Sequence, residues 1–285
     1  MVIRVYCPAK VNLFLAVGPR DARGYHPLRT IFQAVGLEDI LDVTFGEPTR
    51  DPTLEMVGYD LPEENTITKA LRLSREVFDL TPTHVRIEKN IPIMSGLGGG
   101  SSDAAGILRA LNHIRPVPLQ EIEAIAAAIG ADVPFFLTGG RAKGEGYGDR
   151  ITSMPDGLEE WFVIVVPEFG HSTVEMYARL DADPREWRDW PEGDILHNDF
   201  ELVALHDICD ILVERLLSLG AKDAAMSGSG SSVFGRFPTR EAAERAGKQI
   251  NGTHVVKSLT RAESLRIELN PPSTSTGAIR VVRIQ

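Results

Sequence analysis

Cysteine is almost absent from this chain of 285 residues, which contains only Cys7 and Cys209. Two cysteines so far apart in the sequence give no basis for a disulfide framework or a cysteine-rich zinc site. Long apolar runs are also lacking, since no window approaches the ~18 apolar residues that a membrane span requires. The first ten residues, MVIRVYCPAK, are too short and too alternating for a secretion signal. We therefore expect a cytoplasmic protein without a membrane partner.

Clusters of basic residues are lacking as well. The chain has 30 Lys and Arg against 40 Asp and Glu, a formal net charge of −10. Nonspecific binding of nucleic acid needs a positive face, so we expect no nucleic-acid partner. The acidic balance also sets a condition on any phosphate site. Its positive potential must arise locally, from backbone N–H groups and a few lysines or arginines.

The distribution of apolar residues predicts an α+β protein made of two α/β domains. The length allows one large domain or two modest ones, and the segment MPDG interrupts the pattern near residues 153–160. We therefore place an N-terminal domain at 1–155 and a C-terminal domain at 156–268, followed by a tail at 269–285 of open role. From residue 161 the order βααββαβ indicates a split βαβ sandwich, with helices on one face of an antiparallel sheet.

Two periodicities predict the individual elements. Alternation of apolar and polar residues predicts strands, and apolar residues at i, i+3, i+4 and i+7 predict helices. The predicted strands are 3–7, 12–17, 41–45, 84–89, 161–166, 224–226, 233–237 and 254–258. The predicted helices are 66–79, 104–111, 119–130, 172–180, 199–219 with a break near His206, and 239–250, and Gly130 is expected as a left-handed cap. Residues 46–64 predict loops or a short hairpin, and the tail segment AIRVVRI has no predicted partner.

The sequence MSGLGGGSSDAA, residues 94–105, lies between a predicted strand and a predicted helix. Glycines let the backbone approach an anion closely, and the unpaired N–H groups of a helix N-terminus then point at it. No Lys-Ser or Lys-Thr pair follows, which excludes a Walker A loop. The dinucleotide-binding motif G-x-G-x-x-G is excluded as well, because the position of its last glycine holds Ser101 when counted from Gly96 and Asp103 when counted from Gly98. A phosphate cradle and a tight turn under a buried helix remain as interpretations.

A second glycine–serine segment, MSGSGSS at 226–232, lies between two short predicted strands. It can be a loose hairpin. Beside the first loop it can also be a clamp that approaches the same ligand from the other domain. Its candidate ligand contacts are Ser227, Gly228, Ser229 and Gly230.

Three segments together resemble the motifs of the GHMP small-molecule kinases: PAKVNLFL (8–15), PIMSGLGGGSSDAA (92–105) and MSGSGSSVFG (226–235). Further segments are similar to the diphosphocytidyl-methylerythritol kinase family of the non-mevalonate isoprenoid pathway. They are GYH (24–26), the triple glycine, GADVPFFL (130–137) and ND-x-E (198–201). The resemblance implies two domains with the active site in the cleft between them. It also implies transfer of the ATP γ-phosphate to the 2-hydroxyl of 4-diphosphocytidyl-2-C-methyl-D-erythritol, with Mg²⁺.

The resemblance assigns catalysis to Asp132 and Lys10. Asp132 would take the proton from the attacking hydroxyl, which requires a carboxylate within hydrogen-bond reach. Lys10 would pair with Asp132, keep it ionised and offset charge on the transferring phosphoryl group. Alternatively, Asp132 caps the next helix and Lys10 is a solvated surface lysine.

On the nucleotide side, the resemblance assigns Asn65 to the adenine and the loop from Pro92 to Ser102 to the triphosphate. Asn65 can equally be a helix cap, and the two roles can coexist. The expected ATP-binding residues are Asn65, Pro92, Ile93, Met94, Ser95, Gly96, Leu97, Gly98, Gly99, Gly100, Ser101 and Ser102. Magnesium ligands stay open, with Ser101, Ser102 and Asp103 as candidates; Asp103 can instead complement the helix dipole.

On the acceptor side, the resemblance assigns Asn12, Tyr25, His26 and Tyr177 to the cytidine substrate, and the spacing to Tyr177 adds Thr173. Tyr25 would stack on cytosine, His26 would bond to the base edge, and Tyr177 would close the stack from the other side. Thr173 precedes Tyr177 by one helical turn, so both lie on one face. Alternatively, Tyr177 only packs the smaller domain and Thr173 only supports the helix start.

Two other functions remain possible. One is a related kinase that phosphorylates homoserine or a mevalonate, against which Tyr25, His26 and Tyr177 argue because a small acyclic acceptor has no base to stack. The other is a non-catalytic nucleotide-binding protein on the same fold. The sequence leaves open whether the chain is a monomer or a homodimer.

Overall fold

The computed structural model describes residues 1–46, 53–57, 62, 64–168, 172–183, 186–204, 208–272 and 279–283. Parts of the predicted 46–64 loop, the tail residues 273–278, His171 and the expected break at His206 lie outside these residues. The strands are β1 (Val2–Val17), β2 (Leu28–Thr44), β3 (Thr53–Val57), β4 (His84–Glu88), β5 (Arg141–Glu145), β6 (Arg150–Ser153), β7 (Trp161–Val165), β8 (His197–Asn198), β9 (Asp223–Met226), β10 (Val233–Phe237), β11 (Thr253–Lys257), β12 (Ile267–Leu269) and β13 (Ile279–Arg283).

The helices predicted at 66–79, 119–130, 172–180 and 239–250 begin and end within three residues of the predicted limits. The helix predicted at 104–111 begins at Gly99, and the helices at Val133–Thr138 and Arg261–Ser264 were not predicted. The helices are α1 (Thr66–Phe78), α2 (Gly99–Ile114), α3 (Leu119–Ile129), α4 (Val133–Thr138), α5 (Thr173–Ala182), α6 (Ile208–Ser218), α7 (Arg240–Gly247) and α8 (Arg261–Ser264), with a 3₁₀ helix at Asp199–Leu202. Ser172 and Thr239 cap α5 and α7 through their hydroxyls, as their residue types favour. The expected left-handed cap at Gly130 is wrong, because this residue is extended with φ −177°. In the part of the chain that the structure describes, no helix is long and apolar enough to cross a membrane.

A nine-stranded sheet forms the larger layer. Its main path runs β12-β1-β2-β4-β3-β13, β5 and β6 extend it from β2, and β8 pairs in parallel with β1. The two strands predicted at 3–7 and 12–17 are one strand of 16 residues. It continues through Pro8, which lacks an N–H group, because the register shifts between Pro8 and Ala9. The tail segment predicted without a partner forms β13, which pairs antiparallel with β3.

The second sheet has the strand order β11-β7-β10-β9, with all neighbours antiparallel. In this order β10 lies between β7 and β9, which are therefore parallel to each other. That is the split βαβ arrangement predicted from residue 161 onward, and the prediction is confirmed. The domain limits at 155 and 268 stay a prediction, since β8, β12 and β13 return to the larger sheet.

Three apolar clusters hold these layers together. The first joins helices α1 to α4 to one face of the larger sheet. There α2 lies so close to β1 that a Cβ on Gly106 would come within 2.5 Å of Cys7 Sγ. The second cluster fills the smaller domain, and the third contains side chains of both sheets, among them Val11 and Phe162. This shared cluster fixes how the sheets face each other and therefore the shape of the cleft between them.

A buried charge cluster joins β2, the residue that follows β4 and the first turns of α2. The Lys89 ammonium bonds to the carboxylates of Asp39 and Asp103, with 2.7 Å between Nζ and Asp103 Oδ2. Asp39 Oδ1 also accepts the N–H groups of Asn90 (2.6 Å) and Ile91 (2.8 Å). Asp39 thus orients the backbone that enters the glycine loop. Burial raises the pKa of Asp103 well above its usual range, and its Oδ1 has no hydrogen-bond partner.

The variant Asp103→Asn is expected to change how stability depends on pH. A carboxyl whose pKa is higher in the folded than in the unfolded chain favours folding at low pH, and this contribution is lost as the pH rises through the folded value. The free energy of unfolding of the wild type, relative to Asp103→Asn, should therefore fall between about pH 5 and pH 8. Urea unfolding at several pH values measures it. Asp79→Asn, at a side chain 87% exposed, is the control; an identical pH dependence in wild type and Asp103→Asn would contradict the expectation.

Candidate functional site

A cavity of about 220 Å³ lies between the two sheets and brings together residues that are far apart in the sequence. Its lining includes residues of β1, both glycine segments, the start of α4 and the first turns of α5. The predicted site residues among them are Lys10, Asn12, Gly96, Gly98, Asp132, Thr173, Tyr177, Gly228 and Ser229. The cleft therefore contains members of the expected catalytic, nucleotide and acceptor groups.

Lys10 lies in the middle of β1 and is only 4% exposed. Its Nζ is 2.6 Å from Asn12 Oδ1 and 3.6 Å from Asp132 Oδ2. Lys10 and Asn12 lie two residues apart on a strand, so their side chains point to the same face. The alternative of a solvated surface lysine is wrong.

Asp132 occupies the position before α4, but its side chain makes no capping hydrogen bond. The alternative role as a cap is therefore wrong. The side chain is 34% exposed, so the carboxylate faces the cleft and also contacts a buried ammonium. An ionised carboxylate in this position can accept a proton from a bound hydroxyl.

Asn12 is held from the opposite side. Its Nδ2 donates to Thr30 Oγ1 at 2.8 Å, and that hydroxyl donates to the Phe14 carbonyl at 2.7 Å. This chain of hydrogen bonds orients Asn12 Oδ1 toward Lys10. Thr30 was not among the residues predicted from the sequence.

The first glycine loop is packed against its surroundings at two glycines with positive φ. A Cβ on Gly96 (φ +77°) would come within 2.4 Å of the Ser227 carbonyl oxygen, and one on Gly98 (φ +74°) within 3.1 Å of Lys10 Cγ. Gly98 precedes α2, and no side chain caps the first N–H groups of this helix. The loop thus combines a steric need for glycine with a set of backbone donors suited to an anion.

The second glycine turn, residues 227–230, connects β9 to β10 and touches the first loop directly. Ser227 Oγ donates to the Gly96 carbonyl at 3.1 Å, and the Ser232 N–H donates to the Ser95 carbonyl at 3.2 Å. Ser229 Oγ is 2.9 Å from Thr173 Oγ1. The turn is therefore not a loose hairpin, and Thr173 does more than begin a helix.

Asn65 caps α1, as one of its two alternatives predicted. Its Oδ1 accepts the N–H groups of Ile67 and Thr68. The next residue, Thr66, donates from its hydroxyl to the Gly100 carbonyl at 2.7 Å. The start of α1 thus adjoins the glycine loop, and the contact of Asn65 with adenine stays a prediction.

Tyr25, His26 and Tyr177 line a second, larger cavity of about 630 Å³. Tyr177 lines both cavities, so they adjoin at its ring. Tyr25 is 64% exposed, and its ring contacts that of Tyr147 with 5.6 Å between the centroids. Its open face is available to a planar ligand.

The His26 ring stacks on Tyr177, with 5.0 Å between centroids. Its Nδ1 lies 2.9 Å from the Gly18 carbonyl, which can only accept, so Nδ1 carries a proton. Its Nε2 lies 3.3 Å from Asp181 Oδ1. Both ring nitrogens thus face protein groups, and the expected bond from this imidazole to a base edge stays a prediction.

Tyr177 also packs edge-on against Phe200, with 5.0 Å between centroids. Burial, with the nearby Asp132 charge as a smaller cause, raises the pKa of Tyr177 to about 12. The phenol therefore stays neutral near pH 7. Tyr177 therefore packs against the core of the smaller domain and also lines both cavities.

The three candidate magnesium ligands differ in surroundings. Asp103 is bound to Lys89, and Ser102 is fully buried. Ser101 is partly exposed in the first turn of α2. Among the described residues, no three His, Cys, Asp or Glu side chains form a cluster that could hold a metal ion.

Two residues of the ND-x-E segment contact the site, and the sequence did not predict these contacts. Asn198 and Glu201 hold the end of β9 beside the second glycine turn. The only signal for them was the resemblance itself, which gave them no role. Their partners lie 25 to 30 residues further along the chain, so no local pattern shows the contact.

Comparison with known proteins gives the family. The model described as GHMP kinases N terminal domain matches residues 65–140, and that described as GHMP kinases C terminal matches 186–255. A 4-diphosphocytidyl-2-C-methyl-D-erythritol kinase of Syntrophus aciditrophicus (strain SB) is 39% identical over 86% of this chain and 93% of its own length. A homoserine kinase structure from Cytophaga hutchinsonii, 19% identical with a TM-score of 0.62 over 94% of this chain and 97% of its own, shares the fold.

A solved structure supports the narrower assignment. The crystal structure of a 4-(cytidine 5'-diphospho)-2C-methyl-D-erythritol kinase is 33% identical, with a TM-score of 0.77 over 90% of this chain and 98% of its own. Both the sequence relative and this structure cover nearly the whole molecule, including both sheets. The chain therefore belongs to the GHMP kinases and, within them, to the 4-diphosphocytidyl-2-C-methyl-D-erythritol kinase family.

Proposed function

We propose that this chain transfers the γ-phosphate of ATP to the 2-hydroxyl of 4-diphosphocytidyl-2-C-methyl-D-erythritol, with Asp132 as general base and Lys10 as its charge partner. The observation that carries the proposal is the ion pair between Lys10 Nζ and Asp132 Oδ2 at 3.6 Å, in the cavity that both glycine segments and Tyr177 also line. Phosphoryl transfer depends mainly on positioning and charge stabilisation. The cleft combines groups suited to both.

On the nucleotide side, the glycine loop and the uncapped start of α2 bind the triphosphate through backbone N–H groups. These donors, together with Lys10, supply the local positive potential that a chain of net charge −10 otherwise lacks. The second glycine turn covers the phosphates from the smaller domain.

Magnesium, when bound, neutralises charge on the phosphate oxygens during transfer. Mg²⁺ commonly takes most of its ligands from substrate phosphates and water, with few from protein. The residues present fit this arrangement: Ser101 would contribute a hydroxyl from the first turn of α2, and Asp103 would stay with Lys89.

On the acceptor side, cytosine would lie in the larger cavity against the rings of Tyr25 and Tyr177. Since Tyr177 lines both cavities, a ligand that begins there extends toward Asp132. The base end of the acceptor would thus be held by aromatic side chains and its hydroxyl end by Asn12, Thr173 and Asp132. A small acyclic acceptor would leave the larger cavity unused.

A comparison of acceptors tests the function. Purified chain with ATP and Mg²⁺ is expected to phosphorylate 4-diphosphocytidyl-2-C-methyl-D-erythritol and to leave homoserine and mevalonate unchanged. Turnover of the latter two alone would replace the proposed acceptor. Binding of ATP without phosphorylation of any of the three would favour a non-catalytic nucleotide-binding protein.

Asp132→Asn tests the general base. The amide retains the shape but cannot accept the proton, so kcat should fall by roughly 10²- to 10⁴-fold. Affinity for cytidine diphosphate should persist, because the aromatic cavity is unchanged. Steady-state kinetics measure the loss, and Asp79→Asn at an exposed carboxylate serves as the matched control. An unchanged kcat in Asp132→Asn would show that another group takes the proton.

Tyr177→Ala tests recognition of the base. Stacking of a base on an aromatic side chain contributes about 1–3 kcal/mol, so KM for the acceptor should rise by about 5- to 150-fold. KM for ATP should stay near the wild-type value. Tyr177→Phe, which keeps the ring, should behave as wild type. Equal increases of both KM values in Tyr177→Ala would indicate general loss of the cleft rather than loss of a stacking surface.

A further inference from the structure

Asn198 is 1% exposed and uses both N–H groups of its side-chain amide. Nδ2 donates to the Met226 carbonyl at 2.7 Å and to the Gly228 carbonyl at 2.8 Å. Its Oδ1 accepts the Phe200 N–H at 3.0 Å. An asparagine amide has two donors, so here both go to the backbone of the second glycine turn and the residue before it.

The position of Asn198 is set by the larger sheet. It belongs to β8, which pairs in parallel with β1 so that Asn198 lies opposite Leu15. Glu201, one turn further, accepts the Met226 N–H at 2.7 Å. One side chain of β8 and one of the 3₁₀ helix that follows it therefore hold both backbone groups of Met226, the last residue of β9.

The turn that Asn198 holds lies against three segments of the candidate site, namely the first glycine loop, the start of α5 and β1 at Lys10. Ser227 contacts the first glycine loop at Gly96, and Ser229 contacts Thr173. A Cβ on Gly228 would lie 3.5 Å from Lys10 Nζ, so the backbone of the turn runs beside the Lys10 ammonium. A displacement of the turn would change the nucleotide side of the cleft first.

We infer that Asn198 is a positioning residue for nucleotide binding, which sets the second glycine turn against the first loop and beside Lys10. The inference rests on the proposed function for its ligand. It explains why an amide stands here: aspartate has the same shape but would direct an acceptor at two carbonyl oxygens, and both bonds would be lost. A merely structural asparagine would stabilise the whole smaller domain, whereas a positioning one acts on the turn.

Hydrogen exchange tests the position of the turn without any ligand. In Asn198→Asp, amides of residues 226–232 should exchange faster, while those of β7 in the same sheet keep their wild-type rates. The matched control is Asn270→Asp. The Asn270 side chain accepts a hydrogen bond from the Val2 N–H through Oδ1, and a carboxylate can accept the same bond. Asn198→Ala removes the donors without adding charge and serves if Asn198→Asp does not fold. Unchanged exchange over 226–232 in the folded variant would overturn the inference.

Ligand affinity tests the consequence for the site. The dissociation constant of ADP should rise about tenfold or more in the Asn198 variants. That of cytidine diphosphate should stay the same, because no residue of the turn lines the larger cavity in which Tyr25 and Tyr177 would hold the base. Equal loss of both ligands would overturn the inference. The proposed function is decided separately, by the acceptors that the wild type phosphorylates, so its failure would leave the exchange result standing.

Discussion

The contact between the two glycine segments is the constraint on which the cleft depends. The Gly96 backbone approaches the Ser227 and Gly230 carbonyls so closely that a Cβ would come within 2.4 and 3.0 Å of them. No side chain fits at position 96, so the backbones of both segments lie in direct contact there. This explains why glycine and serine replace larger residues there while the surrounding core is rich in Val, Ile and Leu. The shared apolar cluster between the sheets keeps this contact in place.

Charge is distributed so that the cleft differs from the rest of this acidic molecule. Lys10 is buried, and it has one carboxylate at 3.6 Å and one amide oxygen at 2.6 Å as partners. A second buried lysine, Lys89, has two carboxylates as partners below the glycine loop. Lys89 is neutralised within the fold, whereas Asp132 stays one-third exposed and reaches the cavity. Lys89 therefore supports the backbone below the loop, whereas Lys10 lines the cavity, in keeping with its proposed role toward the ligand.

Local signals predicted much of the fold. The cap at Asn65 and most helix periodicities depend on neighbours within four residues, and they appear where the sequence indicated. Long strands were harder, because Pro8 reads as an interruption and only the paired strand reveals the register shift that accommodates it. The predicted cap at Gly130 was wrong for a related reason. Its extended backbone leads the chain into α4 instead of ending α3 with a left-handed residue.

In the site, too, local sequence patterns predicted some features, whereas contacts between distant segments determine others. Its motif residues were identified because each segment resembles a family pattern, and the cleft brings members of each predicted group together. Residues that act through the backbone of another segment, such as Asn198 and Thr30, carry no local pattern, since their partners are distant in sequence. His26 shows the opposite case: its motif was identified, but only the fold reveals that Gly18 and Asp181 face its ring nitrogens. Sequence therefore predicts which segments meet, and the hydrogen bonds between distant segments decide what each side chain can do there.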